Sequence, residues 1–198
     1  MKQKPPHIPT LNWRNIPEHD FFLVAKSYRM AAKKLVEALN PRPGPLSDFD
    51  LCPVLSMYRD ALEVHLKVII LGDGGKFVAA GPDELSVHKT HSVSWLAQSV
   101  CQIILAVKWE QEFRCEGIEN LTDFKALVEE VNAIDPDFYA FRYPAGFNIH
   151  QFAAKLEALF DLLECTADGL AATSDMQMGD AAPDDELDGG NGFTPTIH

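Results

Sequence analysis

Apolar residues recur at helical spacing along most of this chain, and the breaks in that pattern mark out the elements. Phe21, Val24, Tyr28, Ala31, Leu35 and Leu39 form one stripe, with Lys26, Arg29, Lys33 and Lys34 off it, which predicts a first helix from about Pro17 to Leu39. Asn40-Pro-Arg-Pro-Gly-Pro45 stops it. A second helix opens at Asp48 or Asp50 as N-cap, with Pro53 expected in its first turn. At about 100° per residue, Leu55, Tyr58, Leu62, Leu66 and Ile69 all fall within roughly 60° of Leu51, so they define its buried face. Gly72-Asp-Gly-Gly75 ends this helix. Residues 76–90 read as a connection. A third helix is expected from a Thr90 or Ser92 cap to about Arg114, with Leu96, Val100, Ile103 and Val107 as its stripe. A shorter fourth carries Leu121, Phe124, Leu127, Val128 and Val131 behind an Asn120 or Thr122 cap, and stops before Asp135-Pro136. An aromatic loop, Phe138 to Pro144, follows. The last helix has the cleanest period, Ile149, Phe152, Leu156, Leu159, Leu163, Ala167 and Leu170, and is expected to be long and central.

These elements predict an all-α fold, an antiparallel bundle of four long helices plus one shorter helix. The bundle is expected over residues 17–174, after an extended Pro-rich arm at 1–16 whose Ile8, Leu11 and Trp13 could pin it to the surface. A disordered acidic tail is expected at 175–198, because few large apolar residues are left there to offset ordering entropy. With 198 residues, 46% of them hydrophobic, the chain is long enough for one proper core. The formal charge of −12 is uneven. Asp175, Asp180, Asp184, Asp185, Glu186 and Asp188 have no Lys or Arg among them, so the tail holds about half of it. Acidic bulk charge argues against extended nucleic-acid binding while leaving room for a local basic cleft. No stretch approaches the roughly 20 apolar residues of a membrane span, and the first residues lack a signal-peptide pattern, so a cytoplasmic protein away from membranes is expected. Cys52, Cys101, Cys115 and Cys165 are far apart with no C-x-x-C, which reads as reduced thiols.

The residues that could carry chemistry lie mainly on the second helix. Arg59, Glu63 and Lys67 stand at i, i+4 and i+8, the spacing of an ion-pair ladder in which Arg59 could clamp Glu63 bidentately. The plainest reading is a structural ladder orienting the bundle; the functional one is a polar strip lining a nucleotide or RNA-phosphate groove. Gly72 to Gly75 is no phosphate loop, since a helix precedes it and Gly75-Lys76 is followed by Phe77. His88 and His91 lack a further ligand at metal spacing, so no metal or other cofactor is expected.

Tyr28-Arg-Met-Ala-Ala32, then Tyr58-Arg-Asp-Ala-Leu-Glu-Val-His-Leu-Lys67, then a loop into His91-Ser-Val-Ser-Trp-Leu96, together resemble bacterial HEPN-like all-helical proteins. The resemblance spans about residues 18–172, and Asp135-Pro136 and Phe141-Arg-Tyr-Pro144 are similar to a loop in uncharacterised members. It implies a homodimer that acts on or binds RNA or a nucleotide in a stress, phage-defence or toxin-antitoxin setting. If catalytic, such a protein is a metal-independent endoribonuclease.

Active members carry an R-x4-6-H motif near a late helix, and Arg59 with His65 meets the spacing on an early one. In that role His65 takes the proton of an RNA 2′-hydroxyl and Arg59 stabilises charge on the phosphate. An offset of six residues nevertheless sets the two about 120° apart on the helix, with His65 inside the apolar arc. Glu63, Lys67, His91, Arg142 and Tyr143 are the candidate binding residues; Tyr143 could stack a base, or Phe141 to Pro144 could simply cover a bundle end. The glycine-histidine-aspartate form usual at the third helix is replaced by Thr90-His91-Ser92. The competing class is a non-catalytic protein-protein interaction module that pairs with a nucleotidyltransferase-type partner. An open cleft uniting Arg59, His65, His91 or Arg142 favours chemistry, whereas an enclosed His65 favours the module.

Overall fold

A computed structural model describes residues 18–39, 48–78, 83–134 and 148–179. The Pro-rich arm, nearly all of the acidic tail, and the loop bearing Arg142 and Tyr143 lie outside these residues. The described part is all-α: α1 spans Glu18–Leu39, α2 Asp48–Leu71, α3 Glu84–Lys89, α4 Val93–Val107, α5 Leu121–Ile134 and α6 Ile149–Gly179. A 3-10 turn at Asp73–Phe77 follows α2. No helix among the described residues is long and apolar enough to cross a membrane.

α2 is the core of the molecule. Its predicted face, Leu51, Leu55, Tyr58, Leu62, Leu66 and Ile69, is buried, and so are Val54, Ala61, Val64 and Ile70 on other sides. It touches every other described helix, so the central place expected of the last helix belongs to α2, although α6 is longer at 31 residues. Pro53 lies beyond the first turn, because the helix begins at Asp48. Its ring is on the exposed side, where water can satisfy the carbonyl that it leaves without a donor.

α1 packs along α2 through a face rotated from the predicted one. Phe21 and Leu39 are buried as expected, but Ala25, Ala32 and Val36 take the inner positions, while Leu35 is exposed. Small alanines let the two backbones approach, and periodicity weighted toward large residues picks the neighbouring stripe instead.

The connection at 76–90 contains α3, whose N-cap Asp83 accepts a hydrogen bond from the Ser86 amide. Ser92 caps α4 through the Trp95 amide. That helix stops well before Arg114, at Lys108, which adopts the left-handed conformation (φ 62°) without being a glycine. The following turns bury Phe113 and Ile118. Asn120 and Asn148 cap α5 and α6, each accepting two backbone amides. The predicted stripe of α6 is buried apart from half-buried Ala167, Phe160 joins it, and the helix continues past Ser174 to Gly179. Gly169 lets α6 lie against the Trp109 ring, where an added Cβ would stand 2.9 Å from the indole.

Candidate functional site

Asp60, Glu63, Val64 and Lys67 stand at i, i+3, i+4 and i+7, which turns them to one face of α2. Phe21 and Tyr28, two turns apart, face them from α1, and Glu84, Leu85, His88 and Lys89 come from α3. Together with His91 these residues line an open groove of about 850 Å³.

Glu63 is the electrostatic hub at its floor. It is 7% exposed, and three cationic or ionisable partners meet it. The Lys67 ammonium donates to Oε1 at 2.8 Å, His91 Nδ1 lies 3.1 Å from the same oxygen, and Arg59 Nη1 is 3.7 Å from Oε2. The last distance is an ion pair, not the bidentate clamp that the ladder suggests. Arg59 instead donates from Nη2 to the His91 carbonyl at 2.8 Å, and Lys67 reaches the His88 carbonyl at 3.5 Å. The ladder thus fastens the α3–α4 segment down onto α2, and places the His91 ring, 68% exposed, at the rim of the groove.

Asp60 differs from Glu63. It is half-buried, and among the described residues it takes part in no hydrogen bond or ion pair. Burial, and then the neighbouring Glu63 carboxylate, hold its pKa above the usual value, while Arg59 and His91 pull the other way. Burial, Asp60 and Glu63 in turn push the Tyr28 phenol up.

His65 sits elsewhere. It is 2% exposed, its ring 4.8 Å from that of Phe160, on the side of α2 that meets α6. Nδ1 lies 2.7 Å from the Ala61 carbonyl, which makes it the protonated nitrogen of the neutral ring, and Nε2 is 3.3 Å from Glu164 Oε1. Burial lowers its pKa against the upward pull of those two partners.

Glu164 also belongs to a seam between α1 and α6. Arg29 donates to Glu157 Oε2 at 2.8 Å, to Asp161 at 2.7 Å and to Glu164 at 3.0 Å, with Lys26 on Glu164 at 3.1 Å. Tyr58 adds a hydrogen bond to Glu157, and its phenol is pushed up by burial and by that carboxylate.

Of the residues singled out by sequence, Glu63, Lys67 and His91 therefore meet at the groove, Arg59 braces it from behind, and His65 is packed on another side of α2. Asp60, Phe21, Tyr28 and Leu85 also line the groove, although sequence does not single them out as site residues. The i−3 spacing of Asp60 from Glu63 is the available signal; Leu85 has none, because α3 has too few residues to show a period. Compared with protein-family models, curated proteins and solved structures, the chain matches none of them.

Proposed function

We propose that this protein is a HEPN-like antiparallel bundle that works as a non-catalytic interaction module, and that the groove between α1, α2 and α3 is its working surface. The observation that carries the reading is the divergence of Arg59 and His65. The guanidinium is held beneath the α3–α4 segment by the His91 carbonyl, while the imidazole is enclosed against Phe160. A general base must reach the proton that it removes, and a ring 2% exposed does not. The groove, in contrast, is open, and Leu85 is 60% exposed within it. A homodimer, a nucleotidyltransferase-type partner and a cytoplasmic bacterial setting go with this reading by resemblance alone.

The competing proposal, RNA or nucleotide binding with metal-independent cleavage, draws on Lys67, Lys89, His88 and His91 around the groove. Against it, Lys67 is engaged by Glu63, and Asp60 and Glu84 face the same space. The test is incubation of the purified full chain with fluorescent single-stranded RNA in a chelator. The expected outcome is intact RNA with both the wild type and His65→Ala; cleavage by the wild type that His65→Ala abolishes overturns the module.

A further inference from the structure

We infer that the groove receives a basic segment of a partner protein, with an arginine or lysine side chain anchored on the Asp60 carboxylate and its aliphatic stem laid over Phe21, Val64 and Leu85. The inference rests on the groove being the working surface, and it adds the chemistry of the occupant.

Charge is the first argument. Glu63 is neutralised in place by Lys67, with Arg59 and His91 beside it, so it offers little to an incoming cation. Asp60, one turn away, has no such partner among the described residues and is already half desolvated. A carboxylate in that state gains from a donor cation more than an exposed one, because less water must be displaced. The Tyr28 hydroxyl, which interacts electrostatically with both Asp60 and Glu63, forms no hydrogen bond among the described residues and supplies a second acceptor.

The walls are the second argument. Phe21 and His88 stand with ring centroids 5.6 Å apart, and Tyr28 adds another ring, so a cation at Asp60 has aromatic surface beside it. Long basic side chains cover apolar surface with their stems while keeping the charged head among polar groups. Exposed Leu85 and buried Val64 offer that surface. Third, about 850 Å³ lies toward the upper end of ordinary ligand pockets and suits several peptide residues better than a lone small cation.

The position of Asp60 also separates a binding role from a structural one. Burial and Glu63 repulsion outweigh the attraction of Arg59 and His91, so the charge of Asp60 does not stabilise the fold at neutral pH. Asp60→Asn should therefore unfold at the same temperature as the wild type or higher, yet bind less well.

The experiment is selection of displayed random twelve-residue peptides on the full chain, followed by titration of the selected peptides against the wild type, Asp60→Asn and Leu85→Glu. Leu85 is exposed, so the second substitution spares the core. The expected result is enrichment of Arg or Lys beside apolar residues, with affinity about tenfold or more weaker in Asp60→Asn and also reduced in Leu85→Glu. Peptides that lose affinity in Leu85→Glu but not in Asp60→Asn overturn the cation anchor and leave the groove as working surface. If no selected peptide is sensitive to Leu85→Glu, both fall. Self-association of the wild type that Leu85→Glu disperses identifies a second copy as the occupant and overturns the inference.

Discussion

Glu63 shows how one carboxylate can organise a surface. Its own helix supplies Arg59 and Lys67 at i−4 and i+4, and the cations left over by that arrangement grip the carbonyls of His91 and His88. A local ladder becomes a tertiary clasp because α3 and the start of α4 lie over it. All three residues are under 9% exposed, so loss of the carboxylate strands two buried cations. Glu63→Ala is expected to lower unfolding free energy by about 3 kcal/mol or more, measured by urea denaturation. The double change Glu63→Leu, Lys67→Met should lose less, since apolar replacement removes the stranded ammonium as well as its partner. Equal losses would mean that the ladder is not an energetic unit.

Among the helices, the α1–α6 seam is the clearest case of a contact made by charge instead of apolar area. Glu157, Asp161 and Glu164 occupy successive turns of α6, and one guanidinium serves all three. Arg29 lies off the apolar stripe of α1, so sequence places it on the outside; α6 then covers it to 16% exposure. Arg29→Lys keeps the charge but replaces a planar fork by a single ammonium that cannot span three carboxylates. A loss of about 2 kcal/mol is expected in urea unfolding, together with raised hydrogen exchange in α1 and α6. Exchange unchanged in both helices would show that the seam is decorative.

At the scale of the whole molecule, the same seam sets the response to acid. His65 has a folded pKa below its ordinary 6.5, so as pH falls through 6.5 the unfolded chain takes up a proton that the folded chain resists, and stability drops. Burial raises the pKa of Glu164, but hydrogen bonds from Lys26 and Arg29, with a third from His65 Nε2 once that ring is protonated, outweigh this and bring it below its ordinary 4.5. Its contribution is present above 4.5 and is lost as pH falls through the lower folded value. Asp60 has the opposite sign: its raised pKa favours the folded state as acid is added, and partly offsets the other two. Urea midpoints followed from neutral pH downward should therefore fall in two stages. His65→Gln is expected to remove the upper stage and Glu164→Gln the lower; a single stage insensitive to both would refute the assignment.

Local sequence determined the helices of this protein and most of their inner faces, because a period of 3.6 residues, an Asn or Ser cap and a Gly or Pro stop act within a few turns of chain. The buried stripes of α2 and α6, and the caps at Ser92 and Asn120, were legible for that reason. Where geometry depended on another element, sequence could not decide. The alanine face of α1 exists because α2 approaches closely, α4 stops at Lys108 through a left-handed cap that composition does not announce, and six-residue α3 is too short to carry a period. The ladder of Arg59, Glu63 and Lys67 was visible as spacing, but only the fold turned it into the floor of a groove. Burial, which depends on every neighbour at once, is also what enclosed His65 and left Asp60 half-buried at the groove, with no hydrogen bond or ion pair among the described residues.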